Sequence, residues 1–143
     1  MRRTLVFRNE IAEISRLQGF VESVGEELSL DPSLVMGLNL ALEEAVANVV
    51  LYAYSAPGEG EIRLSAEWEA EAGELCFVLL DRGAPFDPTG VPDADVTLAV
   101  EDRPIGGLGI LLIRNIMDEV AYRREDGCNV LTMKKRISLP TGE

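Results

Sequence analysis

The amino-acid sequence predicts an α/β (α+β) fold, a two-layer sandwich with helices on one face of a mixed β-sheet. In the first third of the chain, apolar residues recur at spacings of three and four, which is typical of helices. Within 61–80 and 120–137, apolar runs are separated by polar and turn residues, which is typical of strands. With 143 residues, of which 47 % are hydrophobic and 27 % charged, the whole chain (1–143) is predicted to be a single domain with a packed core.

The N-terminal part is predicted to form a strand and two helices. Residues 4–8 form a short apolar-rich strand, and Asn9 is a candidate helix cap. Asp31 and Pro32 suit the N-cap and first position of a second helix, which should stop before the turn residues at 55–58. The first helix should end near Leu28 or Ser29, and it carries one apolar stripe: Ile11, Ile14, Leu17, Val21, Val24 and Leu28.

The remaining chain is predicted to supply the rest of the sheet and one more helix. Residues 61–69 alternate as a half-buried strand does, whereas 75–80 form a continuous apolar strand with both faces covered. Residues 88–105 form a long loop of the kind that often serves as a functional lid, with a short helix around 93–100. An apolar helix then runs to Met117, and Asp126-Gly127 joins the two strands of a C-terminal hairpin.

Charge and residue content exclude several classes of function. The net charge of −12 disfavours direct binding to nucleic acid or anionic membranes, but it is compatible with a protein partner or a local ligand pocket. The chain has no histidine, which excludes a histidine base, a histidine metal site and a phospho-accepting histidine. No apolar run is expected to reach the length of a membrane span, and no signal peptide is seen. Cys76 and Cys128 are expected to be reduced, which suits a cytoplasmic protein.

Glu44 and Asn48 are the polar exceptions in the apolar second helix. They lie four residues apart, so one helix face carries both, beside the apolar stripe and not opposite it. Burying a carboxylate or an amide without partners is costly, so their position needs a reason. Either backbone or a neighbouring helix satisfies both groups, or they form a functional site. The helix alone does not decide between these interpretations.

Two further clusters contain residue types suited to ligand binding. The strand at 75–80 ends at Asp81, and Gly83 permits a positive φ and a close approach of backbone to a ligand, although D-x-G is also common in turns. Gly106, Gly107 and Gly109 open a helix, where unpaired N–H groups bind phosphates well, although such starts are also ordinary tight turns. The P-loop and Rossmann glycine patterns are absent from the sequence.

The order of these clusters is more specific than any one of them. A helix with E-x-x-x-N, a strand ending in D-x-G-x-P-F-D, a long loop and G-G-x-G opening a helix together resemble the GHKL ATPase superfamily. Within it, the match is to the small anti-sigma factor serine kinases. The resemblance covers essentially the whole chain, including LEEAVANVVLYAY, DRGAPFDP and RPIGGLGILLIRNIMDEVAYRREDGCNVLTMKKRI. It implies the GHKL (histidine-kinase-like ATPase) fold, the cofactors ATP and Mg²⁺, and a homodimer.

The resemblance also implies a role for each matching residue. Glu44 would be the general base that takes the proton from the attacking serine, and Asn48 would ligate Mg²⁺. Asp81 would receive the adenine amino group, with Gly83 beneath the base and Phe86 in the same motif. Residues 88–105 would be the ATP lid, in which Arg103 is inferred to contact a phosphate or else to be simply solvated. The glycine-rich helix start would bind the triphosphate through Gly106, Gly107, Leu108 and Gly109.

Two residues depart from the expected pattern or add to it. Tyr52 stands where related kinases often carry histidine, so any histidine-dependent contact is in doubt. Glu43 points about 100° away from Glu44 on the helix and is expected, with Asn39, to face solvent or a partner. The implied dimer contact could form through the first helix, although its apolar stripe could equally belong to the core.

The resemblance implies a Mg-ATP-dependent serine kinase. It would phosphorylate an anti-anti-sigma (STAS-type) protein and, in another state, sequester a sigma factor. The alternative is a catalytically silent ATP-binding interaction module in a signalling switch, against which the presence of both Glu44 and Asn48 argues. A third interpretation, a histidine-kinase catalytic domain from a larger protein, is disfavoured because the chain has no histidine and ends after its hairpin.

Overall fold

In the part of the chain that the structure describes, five strands form a single antiparallel sheet, and three α-helices cover one of its faces. A computed structural model describes residues 1–54, 60–90 and 107–138. In chain order the elements are β1 (Arg2–Arg8), α1 (Arg16–Leu28), α2 (Pro32–Tyr52), β2 (Glu61–Glu69), β3 (Glu74–Asp81), α3 (Gly107–Ile116), β4 (Glu119–Glu125) and β5 (Cys128–Arg136). Short 3₁₀ turns span Ile11–Ser15 and Pro88–Gly90.

The predicted two-layer class is confirmed, but the sheet is not mixed. Its strand order is β1-β2-β3-β5-β4, and all four neighbouring pairs are antiparallel. The strand–helix–strand connection from β3 through α3 does make β4 parallel to β3. However, β5 returns from the hairpin and lies between them, so no parallel pair forms hydrogen bonds.

The core lies between the helices and one face of the sheet. The α1 stripe is part of this core, because Leu17, Val21, Val24 and Leu28 are buried, and it is therefore not free to form a dimer contact. On β3 the residues that face the helices are buried and the alternate ones are half-buried, so its second face is less covered than predicted. The buried residues of β2 and β3 that meet the helices are Ile62, Leu64, Ala66, Leu75, Phe77 and Leu79.

Helix α2 begins where the sequence predicts. The Asp31 carboxylate accepts a hydrogen bond from the Ser33 backbone N–H at 2.8 Å, and Pro32 occupies the first helical position. The helix is 21 residues long and apolar enough to have the length and composition of a membrane span, which the sequence analysis did not expect. In the fold, eight of its residues are buried within the protein.

The start of α1 differs from the prediction. Asn9 does not cap the helix, because the 3₁₀ turn at Ile11–Ser15 comes first and its N-cap residue is Glu10. Asn9 is instead fully buried, and its backbone N–H donates to the Gly60 carbonyl at 2.9 Å. That contact holds the end of β1 beside the start of β2.

The C-terminal end of α2 packs directly against the turn after β3. The Ala84 N–H donates to the Ala53 carbonyl oxygen at 2.7 Å. A Cβ atom on Gly83 would lie 2.5 Å from that same oxygen. Gly83 does not use the positive φ that glycine permits, since the described glycines with positive φ are Gly73 and Gly127. Glycine is required here because a side chain would occupy the space of the helix end.

The C-terminal hairpin has the predicted two-residue turn. Asp126 and Gly127 both have positive φ, 51° and 77°, as a type I′ turn requires. The turn sets Glu125 opposite Cys128 and, on the other side of β5, leaves Asn129 opposite Asp81 of β3. The hairpin register thus sets Arg124 opposite Asn129, and the β3–β5 register sets Asn129 opposite Asp81.

We expect Gly83→Ala to destabilise the protein by about 1–3 kcal/mol, because the new methyl group must push apart the β3 turn and the α2 end. Gly19→Ala is the matched control: Gly19 lies in α1, and a Cβ there meets nothing within 4 Å. Alanine at that position should be neutral or stabilising by up to about 1 kcal/mol through helix propensity. Urea denaturation of the two variants measures both effects, and equal stability of both would contradict the close packing.

Candidate active site

Glu44 and Asn48 lie one turn apart on α2, as the sequence predicts. Asn48 is only 6 % exposed, and Glu44 is half-buried. Within the described residues, neither side chain forms a hydrogen bond or an ion pair. The structural interpretation, in which neighbouring groups satisfy both, therefore finds no support there. The Asn48 amide atoms are not among the described side-chain atoms that are sealed from solvent without a partner, so they are accessible to a group outside the chain.

A second asparagine–glutamate pair on the same helix behaves differently. The Asn39 amide donates to a Glu43 carboxylate oxygen at 3.0 Å, which ties the two side chains together. The same two residue types thus occur twice on α2 at the same spacing, once joined to each other and once not. The contrast indicates that the Glu44 and Asn48 side chains are kept available.

Asp81 ends β3 in a buried position, 1 % exposed, and is held by two hydrogen bonds. The Gly83 N–H donates to its Oδ1 atom at 2.8 Å, and the Asn129 amide of β5 donates to the same atom at 2.9 Å. Both bonds therefore go to one carboxylate oxygen, which leaves Oδ2 for another donor. An amino group of a ligand has the chemistry to fill that role.

Asn129 is the centre of this network. Its amide nitrogen also donates to the Ala84 carbonyl at 2.8 Å. Its oxygen accepts from the Phe86 N–H at 3.1 Å and from the Tyr122 hydroxyl at 2.6 Å. One buried side chain thus joins the Asp81 carboxylate, the turn that follows it and strand β4.

Burial raises the pKa of the Asp81 carboxyl above its ordinary value, because desolvation disfavours the charged form. The Asn129 and Gly83 hydrogen bonds and the nearby Arg124 guanidinium oppose this effect. Arg124 also anchors the turn, since its Nη1 donates to the Gly83 carbonyl at 2.8 Å. These donors and the guanidinium thus offset part of the cost of burying the Asp81 charge.

The Asp81 cluster and α2 share one cavity. Its lining residues come from α2, β3, the turn after β3 and the hairpin: Ala45, Val49, Leu79, Asp81, Phe86, Pro88, Tyr122, Asn129 and Leu131. Ala45 and Val49 directly follow Glu44 and Asn48, so the structure brings the first two predicted clusters together. The cavity measures only about 10 Å³, far below the roughly 300 Å³ of typical ligand pockets. A ligand ring requires the outer wall to move.

Phe86 and Tyr52 pair at the end of α2 beside this cavity. Their ring centroids are 5.3 Å apart with the planes tilted by 35°. Tyr52 is 38 % exposed, so the position at which related kinases often carry histidine is here an aromatic contact at the surface. Phe86 is the lining residue whose displacement would enlarge the cavity.

Helix α3 begins at Gly107, within the predicted glycine cluster. Its last residue, Ile116, approaches within 3.9 Å of the Cβ position of Gly37 in the N-terminal part of α2. Because α3 packs mainly on α2, it runs antiparallel to α2, with its first turn toward the half that carries Asn48. A parallel α3 would extend beyond the start of α2 and lose that packing. The first turn of α3, with Gly107 and Gly109, therefore lies toward the half of α2 that carries Asn48.

Part of the predicted site lies outside the described residues. The structure does not describe Arg103, Gly106 or the predicted short helix at 93–100. Of the predicted lid at 88–105, it describes only residues 88–90. Leu108 lies in the first turn of α3, and only its backbone is described.

The donor set around Asn48 suits Mg²⁺ bound together with phosphates. Among the described residues, no three cysteine or acidic side chains are grouped so that they could hold a metal alone. Asn48 offers one amide oxygen, and Mg²⁺ commonly takes one or two protein oxygens and completes its shell with water and substrate phosphates. The buried, unpartnered state of Asn48 fits such a shared ion.

Three functional candidates were missed from the sequence: Asn129, Tyr122 and Arg124. Each lies in the C-terminal hairpin, far along the chain from Asp81, and each acts through a contact across strands. The Asp126-Gly127 turn was the available signal, since it sets the hairpin register. No sequence pattern indicated that β5 would lie beside β3.

Comparison with known proteins agrees with this geometry. Residues 7–135 match the family described as the histidine kinase-like ATPase domain. The serine/threonine-protein kinase BtrW of Bordetella bronchiseptica is 31 % identical over 96 residues, which is 67 % of this chain and 66 % of that protein. The serine-protein kinase RsbW of Listeria monocytogenes is 27 % identical over 129 residues, 87 % of this chain and 80 % of that protein.

A solved structure supports the fold. The crystal structure of the RsbU and RsbW domains of a Mycobacterium tuberculosis protein superimposes with a TM-score of 0.69 at 17 % identity. The match covers 98 % of this chain and 33 % of that longer chain, and at this identity it concerns the fold alone. Since the family match extends over most of its length, this chain belongs to the histidine kinase-like ATPase domain family, the GHKL group that its motif order resembles.

Proposed function

We propose that this chain is a Mg-ATP-dependent protein serine kinase and anti-sigma factor. The observation that carries the proposal is Asn48, which is buried, has no partner among the described residues and lies one turn from Glu44. Relatives that are named serine kinases support this reaction class. The alternative is a silent ATP-binding module. Such a module transfers no phosphate, so it would need neither a substrate hydroxyl nor a Glu44 without a partner beside the ligand site.

In the proposed reaction, Glu44 accepts the proton of a partner serine hydroxyl. The serine oxygen then bonds to the γ-phosphorus of ATP, the bond from phosphorus to the bridging oxygen breaks, and ADP leaves. Mg²⁺ held by the Asn48 oxygen would supply neutralisation of the phosphate charge. The free oxygen of Asp81 accepts a hydrogen bond from the adenine amino group, and Gly83 and Phe86 border the base.

The remaining parts of the proposed site bind the triphosphate. The N–H groups at the start of α3, from Gly107 to Gly109, are unpaired within the helix and favour anions. Gly106 and Arg103 are proposed to join them. A base reaches Asp81 only when Phe86 moves outward, since the present cavity has room for about one water molecule.

The proposed partners are proteins. A STAS-type anti-anti-sigma protein would be the phosphorylation substrate and a sigma factor the sequestered partner, as the resemblance implies. The acidic surface, with a net charge of −12, supports protein partners over nucleic acid. A homodimer and a cytoplasmic location complete the proposal, and the free thiols of Cys76 and Cys128 are compatible with a reducing compartment.

The first test separates ATP binding from phosphate transfer. We expect Asn48→Ala to weaken ATP binding on the order of tenfold with Mg²⁺ and to have little effect in EDTA, as measured by calorimetry. Glu44→Gln should leave binding within about twofold but slow transfer of labelled γ-phosphate to a candidate anti-anti-sigma protein by about 10²-fold or more.

The second pair on α2 supplies the matched controls. Asn39→Ala and Glu43→Gln change the same residue types at the same spacing; both should leave ATP binding unchanged, and Glu43→Gln should also leave transfer unchanged. If wild type bound no ATP under any condition, the proposed function would be wrong. If Glu44→Gln lost ATP binding, its role as a base would be replaced by a structural one.

A second prediction concerns Asp81. In Asp81→Asn, the new amide oxygen can still accept from Gly83 and Asn129, but no charge is buried, so we expect thermal stability at pH 7 to equal or exceed that of wild type. Because the folded pKa of Asp81 is raised, its protonated form stabilises the native state below the unfolded pKa of about 4, and that contribution is lost as pH rises through the folded pKa.

The stability advantage of Asp81→Asn should therefore grow as pH rises above about 4 and vanish below it, as followed by thermal unfolding. The same variant should weaken ATP binding by roughly 10- to 100-fold, because the adenine amino group then meets an amide in place of a carboxylate. Asp87→Asn, an exposed change in the same turn, is the control for lost charge. A less stable Asp81→Asn protein at pH 7 would contradict the burial cost assigned to Asp81.

A third prediction concerns Asn129, which we propose positions Asp81 for the base. Asn129→Ala should reduce the preference for ATP over purine riboside triphosphate, which lacks the amino group, by about fivefold or more. Thr132→Ala, also on β5 and half-buried, should leave that preference unchanged. An equal loss of affinity for both nucleotides in Asn129→Ala would show that Asn129 only supports the fold.

A further inference from the structure

A well-defined groove lies away from Asp81, between α1 and α2. Its volume is about 530 Å³. Its floor is apolar and its walls are polar; the lining residues are Gln18, Glu22, Gly25, Glu26, Ser29, Leu30, Pro32, Val35, Met36 and Asn39. Close packing at Gly25, where a Cβ would lie 2.6 Å from a Val35 methyl group, forms the bottom of the groove.

The groove opens onto an apolar strip that a monomer would ordinarily not expose. Met36 is 68 % exposed, and Leu40 and Leu51, on the same outer side of α2, are 45 % and 57 % exposed. Helix α2 thus exposes large apolar residues on the side that also carries Glu43, whereas a helix at the surface normally carries polar residues there. Exposed apolar residues next to an apolar groove are typical of a contact with another molecule.

The walls of the groove indicate the charge of that molecule. Glu22 and Glu26 follow each other by one turn on α1, and no lining residue is basic. Arg16, a basic residue at the start of α1, is ion-paired with Glu13 at 3.3 Å. In the wall formed by α2, the Asn39 amide is bonded to Glu43. Lysine and arginine side chains complement the two glutamates of α1.

The position of the groove relates it to the proposed reaction. Met36, Leu40 and Glu44 succeed one another at four-residue intervals on α2, so the apolar strip leads from the groove to the proposed base. We propose that the α1–α2 groove docks a basic amphipathic helix of the protein substrate, with its apolar face on Met36 and its basic flank along Glu22 and Glu26. The identity of the occupant as substrate rests on the proposed kinase function, whereas the groove itself does not.

Two synthetic peptides test the groove without nucleotide. Each has about 16 residues, or ~24 Å of helix, with leucine at spacings of three and four. One carries lysine at the other positions and the second carries glutamate. Fluorescence anisotropy with the full chain should show binding of the lysine peptide, weakened by salt, and at least about tenfold weaker binding of the glutamate peptide.

Two pairs of variants then locate the binding. Met36→Glu should weaken the lysine peptide about tenfold or more, whereas Ile11→Glu, at a 54 % exposed apolar residue outside the groove, should change it less than about twofold. Glu22→Lys with Glu26→Lys should reverse the preference between the peptides. Glu67→Lys with Glu69→Lys makes the same change in net charge on β2 and should not reverse it.

Each other outcome overturns the proposal. No binding of the lysine peptide, or binding unaffected by Met36→Glu, removes the groove as a docking site. Equal effects of the two double charge reversals would assign the attraction to overall charge. Self-association of wild type that Met36→Glu abolishes, measured by sedimentation, would make a second copy the occupant. Loss of ATP binding in the earlier calorimetry would refute the kinase function while leaving the groove result intact, so the two failures are distinguishable.

Discussion

The hydrogen bond from the Asn129 amide to the Asp81 carboxylate is the contact on which the candidate site depends. It crosses from β5 to β3 at the end of both strands, where the sheet meets the end of α2. A buried carboxylate persists in such a place only when donors surround it. Asn129 supplies one donor and also holds Ala84 and Phe86, so the charge and the shape of the turn depend on a single side chain.

Helix α2 meets three demands at once, and its composition follows from them. One side forms the centre of the core, an adjoining side presents Glu44 and Asn48, and the outer side is apolar and exposed. These combined demands leave few positions for charged residues. The result is a helix that by length and composition alone cannot be told from a membrane span. Here the burial of its core side shows that the helix belongs to a folded domain.

The sequence predicted the features that depend on neighbouring residues. The cap at Asp31 and Pro32, the turn at Asp126 and Gly127, and the shared face of Glu44 and Asn48 all follow from local rules, and the structure has each of them. Predictions of features that depend on contacts between distant residues were wrong or were not made. Gly83 was assigned a conformational role. In the structure, glycine is required there because the end of α2, thirty positions earlier in the chain, leaves no room for a side chain.

The same division explains the other differences. The mixed sheet was expected because a helix connects β3 to β4, and only the position of β5 between them excludes a parallel pair. Asn129 could not be found because its role exists only once β5 is paired with β3. The family resemblance identified Asp81 through its own motif, but it provided no equivalent signal for the residue that holds it.

The exposed hairpin turn at Asp126 and Gly127 has a consequence for how this domain can vary. Loop tips ordinarily accept inserted or deleted residues. Here a single added residue would shift β4 against β5 by one position and turn its side chains to the opposite face, so that Tyr122 would lose its contact with Asn129 and Arg124 its contact with Gly83. Among descendants of this gene, we therefore expect Asp, Asn and Gly to replace one another at the turn. Insertions or deletions of one residue in the turn should be absent, although the turn contacts no part of the site.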